Sequence, residues 1–171
     1  GVRLLEEAQI TGQLEHPNIV AVHDLFGSDL EERPSFVMKL VRGKTLKQVV
    51  QELGDERLSP ANVETLVRNI VTVCDAMAYA HEKTVVHCDL KPDNVMLGRH
   101  GQVYVMDWGT ATLLGAERAA SKHTKEARGT PEYMAPEQVG AFDAHIDART
   151  DVYGVGGILY YVLAGRAPRN R

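Results

Sequence analysis

The stretch VVHCDLKPDNVML at residues 85–97 constrains this chain more than any other part of its sequence. Apolar ends bracket a polar centre that carries Asp89, Lys91 and Asn94. On the N-terminal side, a segment beginning near Pro60 repeats Val63, Leu66, Val67, Ile70, Val71, Cys74 and Met77 at helical spacing, which predicts a long helix with a stripe wide enough to pack a core. On the C-terminal side, NVMLG and QVYVMD predict a short hairpin turning around Arg99, His100 and Gly101. The polar centre is then a loop held between a helix and a hairpin, and the chain is of the α+β class.

The remaining segments fill in that frame. Leu4, Leu5, Ala8 and Leu14 predict a helix ending before Pro17. IVAVHDL at 19–25 and SFVMKLV at 35–41 read as antiparallel strands. Thr45 is placed to cap a short helix carrying Leu46, Val49, Val50 and Leu53, which Gly54 ends. Residues 109–132 show no sustained period and read as a long loop, the kind of segment that usually carries function. The apolar run from Val152 to Gly165 is shorter than the roughly 20 residues a membrane span needs and reads as a buried helix.

Bulk properties exclude some classes. The 171 residues are 44% hydrophobic with a formal charge of −4, so there is no basic excess to favour nucleic acid or an anionic membrane. With two cysteines, Cys74 on the helical stripe and Cys88 in the polar loop, a disulfide framework or Cys-based metal site is not expected, and a reducing compartment fits. The other histidines, His16, His23, His81, His100, His123 and His145, lack metal-ligand spacing and read as surface or core residues. The chain opens on Gly1 without a charged-then-apolar leader, and the protein's start is expected upstream.

The polar loop has the groups that phosphoryl transfer needs: a carboxylate to orient and deprotonate a hydroxyl, a cation for the phosphate, and oxygen ligands for magnesium. MDWG at 106–109 adds a second carboxylate, Asp107, at a strand end. At this point a resemblance becomes specific. HCDLKPDN is similar to the catalytic loop of eukaryotic-type protein kinases, DWG to their metal-binding triplet, and GTPEYMAPE at 129–137 to the end of their activation segment. DVYGVGGILYYVLAGRAP at 151–168 resembles the anchor helix of the large lobe, and RLLEEAQITGQLEHPNIVAVHDL the regulatory helix and following strand. VMDWG and EEAQITGQLEHPNIV look most like bacterial members.

The resemblance implies a two-lobe kinase fold, with residues 1–41 as a partial small lobe and hinge and 42–171 as an incomplete large lobe. It implies an ATP-dependent serine/threonine protein kinase using Mg2+ or Mn2+, with ATP and a protein Ser/Thr hydroxyl as partners. Asp89 would accept the hydroxyl proton, Lys91 would neutralise the γ-phosphate, and Asn94 and Asp107 would hold the metal. Met38 would be the gatekeeper, Lys39 to Val41 the hinge facing adenine, and Met96 the residue under the ring. Glu7 would pair with the ATP-contacting lysine, and Thr130 would shape the hydroxyl's seat beside Asp89 and Lys91. Glu137 would take a late arginine and Asp151 the catalytic-loop backbone. His87 and Trp108 would stack as spine residues, with Gly109 following the metal aspartate. The kinase domain would be cytoplasmic, whatever anchors the parent.

Two departures qualify this. Cys88 stands where most members have an arginine that pairs with a phosphorylated activation loop, which argues against that mode of control although Ser121, Thr124 and Thr130 offer hydroxyls. Chemistry does not require that arginine, and the neighbouring carboxylate disfavours a redox role for Cys88. The glycine-rich loop and the ATP-contacting lysine would precede Gly1, so these 171 residues alone are expected to be inactive. Two other readings are a pseudokinase scaffold, which the intact Asp89, Lys91, Asn94 and Asp107 oppose, and a small-molecule phosphotransferase of related fold, which the peptide-docking APE segment opposes.

Overall fold

The computed structural model describes residues 12–26, 35–114, 129–140 and 145–169. Glu7, most of the expected first helix, Ser121 and Thr124 lie outside them. Two helices form the centre. Helix α2, Pro60–Glu82, packs against α3, Ala148–Ala164. The shorter α1, Leu46–Leu53, packs against the turn at Pro92–Asn94.

α1 begins where its sequence places a cap. The Thr45 hydroxyl accepts from Gln48 N at 3.1 Å while Gln48 Oε1 accepts from Thr45 N at 2.8 Å, a reciprocal capping box, and Gly54 ends the helix with φ of 52°. α2 has its proline in the first turn, where the missing N–H costs no hydrogen bond. Asp147 caps α3 by accepting from Arg149 N at 2.8 Å, and the Arg149 guanidinium bonded to it holds its carboxyl below the usual carboxylate range. Gly165 closes the helix in the left-handed region.

Strands β1 (Val22–Phe26) and β2 (Ser35–Met38) form an antiparallel pair, Leu25 opposite Phe36. They are shorter than expected. Ile19 instead bridges Val105 in parallel, and Val105 N donates to Asn18 O at 2.7 Å, tying the segment to the central hairpin. That hairpin, β5 (Val95–Gly98) and β6 (Val103–Val105), is joined by β3 (Gly43–Thr45) in the order β3-β5-β6. β4 (Val85–Val86) pairs with β7 (Thr112–Leu113), a strand inside the stretch read as loop.

The core collects Leu46 and Val50 from α1, Leu66, Ile70, Val73 and Met77 from α2, Val95, Val103 and Val105 from the hairpin, Trp108, and Ile158 and Val162 from α3. Each such side chain contributes about 1.5–3 kcal/mol by leaving water. Two expectations are corrected. Cys74 is exposed, as is Val71 at 53%, because α2 carries two adjacent apolar columns and only the one containing Leu66, Ile70, Val73 and Met77 faces the core. α3 is not wholly buried either: Val152 is 66% exposed, and Leu159 and Leu163 are also outside. Among the described residues no helix is long and apolar enough to cross a membrane.

Candidate active site

Between β4 and β5 the chain turns through Asp89, Lys91 and Asn94, and their side chains converge. Asp89 is buried; its Oδ2 accepts from Lys91 Nζ at 2.7 Å and from Asn94 Nδ2 at 3.3 Å, and its Oδ1 accepts from Thr130 N at 2.7 Å. Lys91 Nζ also donates to Thr130 Oγ1 at 2.7 Å. One ammonium is thus shared between a carboxylate and a hydroxyl that come from segments about forty positions apart. Such charge-assisted contacts fix both the direction of the carboxylate and the place of the cation.

Asn94 sits at the end of a 3-10 turn, Pro92–Asn94, and gives its amide hydrogens to Asp89 O, at 2.9 Å, and Asp89 Oδ2. Its Oδ1 takes no hydrogen bond among the described residues. Met106 N donates to Asn94 O at 2.8 Å, which brings the end of β6, and with it Asp107, beside the loop. Asp107 is exposed, has φ of 59°, and has one oxygen 3.4 Å from Gly109 N. Positive φ is uncommon for a side-chain-bearing residue, least so for Asp and Asn, and turns this carboxylate out of the strand line. An amide oxygen and a carboxylate of this kind are hard donors suited to a divalent metal with oxygen preference.

The loop is held from below by a buried network. Asp151, 1% exposed at the start of α3, accepts from His87 N at 2.9 Å, Cys88 N at 3.0 Å and His81 Nε2 at 2.8 Å. Cys88, also buried, has φ of 68°, and its carbonyl accepts from Gln138 Nε2 at 2.6 Å. His87 Nδ1 accepts from Asp89 N at 3.2 Å while Nε2 donates to Met106 O at 3.0 Å, which assigns the Nε2–H form of the ring. The His87 ring lies 4.7 Å from that of Trp108, tilted by 56° rather than stacked flat. Gly154 of α3 is where Leu90 rests: a Cβ there would come within 2.8 Å of the Leu90 side chain.

Other positions singled out in the sequence stand around this centre. Glu137 Oε1 accepts from the Thr150 hydroxyl at 2.7 Å. Met38 is exposed at the end of β2, and Lys39 to Val41 follow it outside any helix or strand. Met96 lies in β5 opposite Tyr104, and Tyr104 accepts from Lys39 Nζ at 2.9 Å. Sequence reasoning did not single out His81 or Gln138 as loop-holding contacts. The signals were weak: His81 is a polar residue in the last turn of α2, and Gln138 directly follows APE. Lys47 of α1, bonded at 2.9 Å to Asp93 inside the loop, was also missed; that bond pushes the lysine pKa up.

The protein kinase domain model matches residues 2–171. A probable serine/threonine-protein kinase of Corynebacterium efficiens is 39% identical over 97% of this chain and 24% of its own length. Serine/threonine-protein kinase PknD of Protochlamydia amoebophila is 37% identical over 99% of the chain and 19% of itself. PknB of Mycobacterium tuberculosis is 35% identical over 98% and 26%. The chain spans roughly a quarter of the length of the curated relatives it matches. With a match over nearly its whole length and the clustered Asp89, Lys91 and Asn94 loop, this chain belongs to the protein kinase domain family.

Proposed function

We propose that the protein carries the γ-phosphoryl group of ATP to serine or threonine hydroxyls of proteins, with Asp89 as the proton acceptor. The observation that carries this reading is the shared ammonium of Lys91, 2.7 Å from both Asp89 Oδ2 and Thr130 Oγ1. The substrate hydroxyl would give its proton to Asp89 as its oxygen forms a bond to the γ-phosphorus. The bond to the β,γ-bridging oxygen breaks and ADP leaves with that electron pair. Lys91 offsets negative charge on the transferring group, at a point where preorganised charge acts most strongly. Protein kinases use ATP with a divalent cation; here Mg2+ or Mn2+ would be held by Asn94 Oδ1 and Asp107, and when bound it neutralises phosphate charge.

Within this reading residues 1–41 are the small lobe and hinge, and 42–171 belong to the large lobe. Met38, Lys39, Val41 and Met96 border the adenine. The serine/threonine preference is supported by KPDN and GTPEYMAPE, whose Thr130 makes the contact just described. Asp89→Asn in the full-length protein, assayed with labelled ATP and a protein acceptor, tests the role of the carboxylate. The turnover number should fall by about 10²- to 10⁴-fold while nucleotide affinity changes little. Activity within a few-fold of wild type would remove Asp89 from the mechanism.

A further inference from the structure

Asp89 has one oxygen held from within its own loop and one held from outside it. Lys91 and Asn94 bond Oδ2, whereas Oδ1 accepts from Thr130 N, in the later segment 129–138. The aim of the carboxylate therefore depends on where that segment lies against the loop. The bonds from Thr130 to Asp89 and Lys91 cannot settle this by themselves, because their partners are the groups whose placement is in question. A fastening that leaves the reacting groups untouched is needed, and the Gln138 side chain supplies one.

Gln138 is buried in the 3-10 turn Pro136–Val139. Its Oε1 accepts from Ala135 N at 2.9 Å, and its Nε2 donates to Cys88 O at 2.6 Å. An N–H on one side and a carbonyl on the other assign the orientation of the amide and lock it at both ends. Cys88 O belongs to the peptide that leads into Asp89, so the bond acts next to the carboxylate's own Cα. Cys88 stands at φ of 68°, a setting that a side-chain-bearing residue keeps only when its surroundings hold it there. The segment is stiff enough to transmit the hold. Tyr133 N and Met134 N donate to Thr130 O at 2.8 and 3.0 Å, and Gln138 N donates to Ala135 O at 3.0 Å, so consecutive turns join Thr130 to Gln138. Met134 and Ala135 between them are buried. Gly129 shows how closely the parts meet. A Cβ there would lie 2.8 Å from Cys88 O, 3.3 Å from Gln138 Nε2 and 3.5 Å from Asp89 Oδ1.

We infer that Gln138 is a positioning residue for the Asp89 carboxylate: its amide fastens the segment bearing Thr130 to the Cys88–Asp89 peptide and so keeps the Thr130 N–H on Oδ1. Gln138 touches no reactant and acts only through the direction in which Asp89 faces the hydroxyl. The inference rests on the reading of Asp89 as proton acceptor. Misplacing a reacting group by about 1 Å can slow a reaction about 100-fold, so one amide away from the chemistry is enough to matter.

The test uses full-length protein with labelled ATP and a protein acceptor, the competent fraction being counted by binding of a non-hydrolysable ATP analogue. Gln138→Met keeps the length of the side chain and offers no donor to Cys88 O. Its kcat per competent molecule should fall by about 10- to 100-fold, with KM for ATP within about twofold of wild type. The same substitution is then made in Asp89→Asn. There it should change the residual rate by less than about twofold, because the group it aims is already gone. A merely structural role would lower both backgrounds by the same factor. If Gln138→Met does not fold, Gln138→Asn takes its place in both backgrounds, since it keeps the amide and is one methylene too short to span Ala135 N and Cys88 O together. A kcat within a few-fold of wild type, or equal losses in the two backgrounds, would overturn the inference and leave Asp89 in its role. Wild-type activity of Asp89→Asn by itself would remove the reading of Asp89, and this inference with it.

Discussion

Asp151 shows how much of the site rests on a residue that touches no reactant. Its two oxygens take three donors, two of them backbone N–H groups of the buried residues His87 and Cys88. Those N–H groups have no alternative, because Cys88 is held at φ of 68°, outside any helix or strand ladder that could satisfy them. Asp151→Ala should therefore cost about 2–4 kcal/mol, the penalty for two orphaned buried donors, read as a drop in denaturant midpoint at unchanged slope. Asp151→Asn keeps one acceptor oxygen and should cost less. His81→Ala should cost least, since the His81 side chain is partly exposed and water can replace it. Equal stability of Asp151→Ala and wild type would mean that the loop is held by other contacts.

At the scale of elements, local signals were read well where one residue dictates one geometry. Thr45 and Gly54 bound α1 because a cap and a left-handed stop act on their own helix only. The burial of α2 was misread because Val67, Val71 and Cys74 lie beside the true core column, and periodicity cannot say which of two adjacent apolar columns meets a partner. β7 was missed because two residues carry no period, and Thr112–Leu113 become a strand only by pairing with Val85–Val86. The end of α2 yields a prediction. Thr84 follows the C-cap Lys83 with φ of 60°, a left-handed position where a β-branched residue is strained, and its side chain is exposed. Thr84→Gly should raise stability by about 1 kcal/mol, seen as a higher thermal midpoint with the Asp89 loop unperturbed. A lower midpoint would mean that the threonine supplies something beyond its backbone angle.

Across the whole molecule, the candidate site was legible because Asp89, Lys91 and Asn94 are close in sequence. Of its support, the Asp151 contact to the loop backbone was expected from the resemblance, whereas His81, which bonds Asp151, and Gln138, which bonds Cys88 O, come from separate segments with no local signal. That support also sets an order of stability. The Asp151 network joins α2, α3 and the loop into one buried body that includes Val73, Ala76, Ile158 and Val162. The β1–β2 pair connects to this body through the Ile19–Val105 bridge, and Val37 and Met38 on β2 are exposed. A two-stranded ribbon is marginal on its own and opens more easily than the core it leans on. Native-state hydrogen exchange should therefore find the amides of Val73, Ala76 and Ile158 exchanging only through global unfolding. The ladder amides of β1 and β2 should exchange faster by orders of magnitude. Protection of β1 and β2 equal to that of α2 would show that the pair folds as one cooperative unit with the helices.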